Sequence, residues 1–246
     1  MPQDQPPRTI VITGAGRGIG RATALRLGTG GTRVLALDHD GGEAERTARA
    51  VTAAGGVGAA AACDVTDQPS VEAAIAAAGR VDVLVNSAGI IEDKALEQVS
   101  ADDMQRMYEV NTAGLFLATQ AALAGMPDGG RIINVASRAY IGSRDDAHYV
   151  PSKAAVVGLT RTLAIELGAR RIMVNAVAPG TVRTPPLAGL SEERPSRLAG
   201  SCPAGRLPEP EDIAHAIAFL ADDRTRHISG QVLIIDAGRS TDLSPA

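Results

Sequence analysis

The chain reads as an α/β protein: a doubly wound parallel sheet of seven strands with helices on both faces, in one domain over residues 1–246. Three observations predict this. Short β-branched runs alternate with longer Ala-rich stretches from end to end. The apolar runs are uninterrupted, as strands covered on both faces are, where a half-exposed strand would alternate apolar and polar residues. A length of 246 residues, 45% of them hydrophobic, supplies one large core without requiring a second domain.

The elements follow in order. Thr9–Thr13 is the first strand, with a glycine-rich turn and a helix near 18–30 behind it. Arg33–Asp38 and a helix over 41–54 repeat the unit, as do Val57–Cys63 with 68–78 and Asp82–Asn86 with 102–125. Arg131–Ser137 leads to a helix over 149–169, Arg171–Val177 to one over 209–222, and Gln231–Asp236 is the last strand. In the helical stretches apolar residues recur at three- and four-residue intervals. One long irregular segment, Ala178 to Pro208, is rich in Pro, Gly and Arg. It follows a strand at the carboxyl edge where such sheets bind ligands, so it reads as a substrate lid within 178–208; the plainer reading is a surface excursion with a short helix.

Composition excludes several classes of function. A formal net charge of −4 with no Lys/Arg-rich run leaves no footprint for nucleic acid or for an anionic membrane. No stretch approaches the roughly 18 apolar residues of a membrane span, and Met1 to Arg8 lacks the apolar core of an export signal. Cys63 and Cys202 have no metal or CxxC spacing, and His39, His148, His215 and His227 are scattered. Free thiols in a reducing, cytoplasmic setting and no metal site are expected.

The chemistry begins after the first strand, at Gly14-Ala15-Gly16-Arg17-Gly18-Ile19-Gly20. Glycines allow the positive φ and close backbone approach of a tight turn, and the helix that follows offers unpaired N–H groups to a pyrophosphate. GxGxxG fails here, because Gly14 and Gly16 would need a glycine at Ile19; what stands is TGxxxGxG, with Gly14, Gly18 and Gly20. The second strand ends in Asp38, placed to accept both hydroxyls of an adenosine ribose. A 2′-phosphate about 4 Å from that carboxylate would meet a repulsion of roughly 4 kcal/mol at an effective dielectric of 20, which favours NAD over NADP. Arg17, with His39, pulls the other way, since a guanidinium can face a 2′-phosphate. Asp38 ranks above it because a strand-end carboxylate cannot retreat as a long side chain can.

A strand ending at Ser137 is followed by Tyr149-Val150-Pro151-Ser152-Lys153. On a helix the i, i+4 spacing puts Tyr149 and Lys153 on one face, and Pro151 is tolerated only in the first turn. A tyrosine with a reference pKa near 10 becomes a usable base when an ammonium stands beside it.

On these motifs the sequence resembles the short-chain dehydrogenase/reductase family, from Thr9 to Asp236, and is similar to its 3-oxoacyl reductase and secondary-alcohol dehydrogenase members. The resemblance also rests on Asp64-Val65, on Asn86-Ser87-Ala88-Gly89 where the family usually has Asn-Asn-Ala-Gly, on Asn111, and on Pro179-Gly180 with Val182 and Thr184. Near the end Asp236-Ala237-Gly238 stands for the usual Asp-Gly-Gly. The resemblance implies a Rossmann-type domain with strand order 3-2-1-4-5-6-7, a homotetramer, and a catalytic set of Asn111, Ser137, Tyr149 and Lys153. It implies that Lys153 bonds the nicotinamide ribose, Ser137 holds the substrate oxygen and Asn111 positions water in a proton relay. It implies adenine contacts at Asp64 and Val65, further cofactor contacts at Asn86, Ala88, Gly89, Pro179 and Gly180, and carboxamide contacts at Val182 and Thr184.

The expected activity is NAD-dependent interconversion of a small-molecule secondary alcohol and its ketone. The alternatives are an NADP-dependent carbonyl reductase of 3-oxoacyl type and, in another class, a non-catalytic dinucleotide sensor. Substrate contacts are expected from Ser137 and Tyr149 and from Arg138, Tyr140, Ser143, Arg144 and His148 around them. The two arginines either pair with a substrate carboxylate or phosphate or face solvent and Asp145 and Asp146.

Overall fold

The computed structural model describes residues 7–184, 199–200 and 202–241. Seven parallel strands lie in the order β3-β2-β1-β4-β5-β6-β7. They are β1 Thr9–Thr13, β2 Arg33–Asp38, β3 Val57–Ala62, β4 Val83–Asn86, β5 Arg131–Val135, β6 Met173–Pro179 and β7 Val232–Ile235. Around them stand α1 Gly18–Leu27, α2 Gly41–Ala53, α3 Gln68–Ala76, α4 Ala101–Tyr108, α5 Gly114–Leu123, α6 Tyr149–Glu166 and α7 Pro210–Ala221.

The two faces of the sheet follow from the pleat, which sends successive side chains to opposite sides. Val11, Leu35, Leu37, Leu84, Ile132 and Val174 form one core with Val71 and Ile75 of α3, Ala118 of α5 and Leu163 of α6. Their neighbours Ile10, Ile12, Val34, Ala36, Val83, Val85 and Ile133 form the other, against Ala24 of α1, Val51 of α2 and Ile213 and Ile217 of α7. Continuous apolar strands are thus needed on both sides of the sheet. Strand order reverses beside β1, which pairs with β2 on one side and β4 on the other, so a crevice opens at their carboxyl ends.

Most boundaries fall within three residues of the sequence expectation, and three departures bear on the site. The helix expected over 102–125 is interrupted by a π-helical turn at Glu109–Ala113. A π turn inside an α-helix re-aims side chains, and here it carries Asn111. β5 stops at Val135, and Ser137 caps a 3-10 turn, Arg138–Ile141, by accepting from Ala139 N at 3.2 Å. β6 starts later and ends later than expected, because Arg171 turns the chain at φ 54 after the 3-10 turn Gly168–Arg170. Ala178 and Pro179, the first residues of the expected lid, therefore belong to β6, and most of the rest of that segment lies outside the described residues.

Candidate active site

The glycine turn is held by contacts that only glycine permits. At Gly14, φ is +65 and an added Cβ would lie 2.7 Å from Ala88 Cα; at Gly20 it would lie 2.1 Å from Gly14 O. The turn is therefore clamped between the loop after β4 and its own helix. Thr13 ties it down further, since its Oγ1 accepts from Ser87 N at 3.1 Å and Ala88 N at 3.2 Å. Sequence reasoning gave Thr13 no role, although its place as the polar last residue of a buried strand was a signal.

α1 begins at the end of this turn with no capping side chain and no acid in its first turn, whereas Asp40 caps α2 and Asp67 caps α3. A helix N-terminus with open N–H donors beside a glycine cradle is the chemistry that a pyrophosphate requires. Gly18, at φ +55, faces Thr184: a Cβ there would lie 3.4 Å from Thr184 Cγ2. The segment after β6 thus lies over the mouth of the cradle. Val182 is buried, Thr184 N donates to Val182 O, and Gly180 N donates to Ile235 O.

Asp38 sits at the same mouth. Its Oδ2 accepts from Gly16 N at 2.9 Å and its Oδ1 from Asp40 N at 3.0 Å, so the carboxylate is pinned against the turn. Arg17 and His39 are exposed. Asp64 accepts from Thr66 N and Thr66 Oγ1, which hold its carboxyl below the ordinary range. Val65 is buried where α5 begins; a Cβ at Gly114 would lie 2.8 Å from its Cβ. The Asn86 side chain is turned away from the crevice: Nδ2 donates to Thr119 Oγ1 and to Asn134 Oδ1, and Asn134 passes the chain on to Thr160 of α6. That buried ladder was not foreseen for Asn86, because one sequence does not say which strand neighbours meet.

The side chains expected to react come from the turn after β5, the π turn and α6. Tyr149 and Lys153 are both buried on α6, with Lys153 Nζ 5.9 Å from the centre of the Tyr149 ring. The Ser137 hydroxyl is close enough to the phenol to favour its ionised form. Burial pushes the phenol up to about 12, Ser137 draws it down, and Asp146 adds to the rise. Burial alone pushes the Lys153 ammonium down to about 8. Lys153 Nζ donates to Val135 O at 3.0 Å, tying α6 to the end of β5. Asn111 is nearly fully enclosed: Oδ1 accepts from Ile90 N at 2.8 Å, and Nδ2 donates to Ile90 O and to Ser152 Oγ, both at 3.0 Å. A Cβ at Gly89 would lie 3.0 Å from Asn111 Oδ1 and 3.3 Å from Lys153 Nζ, so the β4 loop, the π turn and α6 meet at one point. Ser152, which sequence reasoning passed over, is the hinge of this junction: it accepts from Asn111 and donates to Tyr149 O.

Among the expected substrate contacts, Ser143 and Arg144 are exposed, Arg138 is partly exposed, and Tyr140 packs on the core cluster beside Val156. His148 is 1% exposed, and neither ring nitrogen has a partner among the described residues.

A family model described as enoyl-(acyl carrier protein) reductase matches residues 14–240. The chain belongs to the short-chain dehydrogenase/reductase family. Among curated relatives, a hydroxy(phenyl)methylsuccinyl-CoA dehydrogenase subunit of Thauera aromatica is 41% identical, over 95% of this chain and 96% of that protein. A 3-oxoacyl-(acyl-carrier-protein) reductase of Thermotoga maritima is 37% identical, over 94% and 97%. Among solved structures, a short-chain dehydrogenase/reductase from Serratia marcescens is 37% identical with a TM-score of 0.89, covering 95% of this chain and 98% of that one. Family members bind nicotinamide dinucleotides, and the glycine cradle with its uncapped helix fits one. No helix among the described residues is long and apolar enough to cross a membrane.

Proposed function

We propose that the protein oxidises a secondary alcohol to a ketone with NAD and catalyses the reverse reduction. One observation carries this reading: Tyr149 and Lys153 are buried together on α6, with the ammonium 5.9 Å from the ring centre and Ser137 close enough to favour the phenolate. The names of the two relatives, a hydroxy-compound dehydrogenase and a 3-oxo reductase, describe the two directions of this interconversion.

In oxidation, the Ser137 hydroxyl holds the alcohol oxygen and Tyr149 takes its proton. A bound nicotinamide supplies the acceptor for the hydride that leaves the carbinol carbon. A phenol pushed up to about 12 by burial is protonated at neutral pH, the form that donates to a carbonyl oxygen in reduction. To act as the base it needs positive charge beside it, which Lys153 provides. With Lys153 at about 8, the ammonium still outnumbers the free amine by about tenfold at pH 7. Asn111 fixes the junction of α6 with the β4 loop, and we assign it a positioning role in the proton relay.

The cofactor contacts in this reading are Gly14, Gly16, Arg17, Gly18, Ile19 and Gly20 for the pyrophosphate and Asp38 for the adenosine ribose. Asp64 and Val65 serve the adenine. Asn86 contributes through its backbone, with Ala88 and Gly89 beside it, and Lys153 reaches the nicotinamide ribose. Pro179, Gly180, Val182 and Thr184 serve the nicotinamide. The pinned carboxylate of Asp38, against an exposed Arg17, supports NAD. Exposed Met104, Tyr108, Phe116 and Ile165 on α4, α5 and α6 support a homotetramer, to be weighed by light scattering.

The decisive measurement is turnover of a panel of alcohols and ketones with both cofactors, followed by nicotinamide absorbance. Tyr149→Phe is expected to lose turnover by at least about 100-fold while binding NADH as the parent does. Full turnover in that variant removes the mechanism, and tight NADH binding without turnover of any panel member by the parent points to a sensor.

A further inference from the structure

Of the two arginines near Ser137 and Tyr149, the fold singles out one. Arg144 is exposed. Arg138 is partly enclosed, yet among the described residues no hydrogen bond or ion pair engages its guanidinium. None of its nitrogens is sealed from solvent, so the unmet donors open onto space that a ligand reaches. Arg131 shows what a structural arginine does in this protein: it is buried, and its guanidinium donates to the carbonyls of Gly129, Gly130 and Asp223.

The neighbours of Arg138 define the place. It follows Ser137 directly and opens the 3-10 turn off β5. Arg239 opens a 3-10 turn after β7 and stands close enough to act on Arg138, which its own burial already pushes down. Two carboxylates act on it as well. Asp236 is committed to its own turn, with Oδ1 accepting from Gly238 N at 3.1 Å and Oδ2 from Ser240 N at 2.7 Å. Asp146 is buried, with Oδ1 unpartnered, and acts on Tyr149 too. Ala139 of the same 3-10 turn packs in one buried cluster with Tyr149 and Met107, so Arg138 stands between Ser137 and that cluster at the edge of the Tyr149 site.

A guanidinium drawn partly out of water with its fork unmet is costly until an anion completes it. The geometry points to Arg138, backed by Arg239, as a subsite for a carboxylate that the substrate carries a few bonds from its carbinol carbon. The substrates are then hydroxy acids and the matching keto acids. A carboxylate fits better than a phosphate dianion, because its two coplanar oxygens match the fork and the adjacent Asp146 and Asp236 already offset the two arginines. This inference rests on the reading of Ser137 and Tyr149 as the carbinol site.

The test uses 3-hydroxybutyrate, mandelate and 4-hydroxycyclohexanecarboxylate, each as free acid and as methyl ester, with the parent protein, Arg138→Gln, Arg138→Lys and Arg144→Gln. The parent is expected to favour an acid over its ester in kcat/KM. Arg138→Gln should lower that ratio by about 10- to 100-fold, the worth of a charged hydrogen-bonded contact. Arg138→Lys should retain part of the ratio, and Arg144→Gln all of it. Esters used as well as acids, a ratio that Arg138→Gln leaves in place, or a preference for glycerol 3-phosphate over every acid overturns the subsite and leaves the alcohol chemistry standing. Should no probe turn over, the NAD-loaded protein is melted with cyclohexanecarboxylate and with its carboxamide. Stabilisation by the acid alone that Arg138→Gln abolishes supports the subsite, and its absence overturns it.

Discussion

Asp38→Asn isolates the choice between NAD and NADP. The parent carboxylate is held from both sides by Gly16 N and Asp40 N, so it cannot swing away from a ligand at the turn. A 2′-phosphate about 4 Å away meets roughly 4 kcal/mol of repulsion per unit charge at an effective dielectric of 20 and about 1 kcal/mol in bulk water. Asp38 is partly exposed, so the value lies between these limits. About 2 kcal/mol, or roughly 30-fold in relative specificity, is the working figure. Asparagine keeps the shape and one oxygen for the backbone donors while removing the charge. The assay is kcat/KM for NAD and NADP with one alcohol at fixed ionic strength. The parent should prefer NAD, and Asp38→Asn should move the ratio about 30-fold toward NADP, with a smaller shift at high salt. A parent that prefers NADP, or a ratio that the substitution leaves unmoved, refutes the electrostatic argument.

Two further outcomes follow from backbone strain and from burial of charge. Ala237 stands at φ 58, a left-handed conformation that suits glycine, where the family usually has glycine. Relief of about 1–2 kcal/mol on Ala237→Gly exceeds the about 0.4–1 kcal/mol of added chain freedom in the unfolded state, so Tm should rise by about 1–3 °C, and a fall contradicts the strain. Lys153 is pushed from 10.5 down to about 8 by burial, so the unfolded chain binds more protons than the folded one between those values. The cost of burying the ammonium is absent above pH 10.5 and complete below about 8. Urea unfolding at pH 8 and 9.5 should therefore show the parent gaining stability relative to Lys153→Met as pH rises, and equal pH dependence in the two refutes the burial cost.

The strands and the glycine turn were legible because their signals are local. Val11 and Ile12 face opposite cores, yet both had to be apolar, and that pattern is visible without knowing the partners. Tyr149 and Lys153 share a face through helical geometry alone. Asn111 was named by resemblance, but the π turn that carries it was not, because no residue pattern in 102–125 marks an i to i+5 bond. Asn86 shows the converse: the resemblance implied a cofactor contact there, and the fold uses its side chain in a ladder with Asn134 and Thr160.

The sequence alone determined the layered sheet, the glycine turn and the Tyr-Lys pair, since each depends on residues a few positions apart. Tertiary structure decided which of several plausible side chains reach the crevice. It exposed Arg144 and left Arg138 half-enclosed beside Arg239, a residue 101 positions later in the chain. The physical reason is that parallel strands place residues far apart in sequence side by side at one edge, and only the packing of β5, β6 and β7 sets which charges meet there.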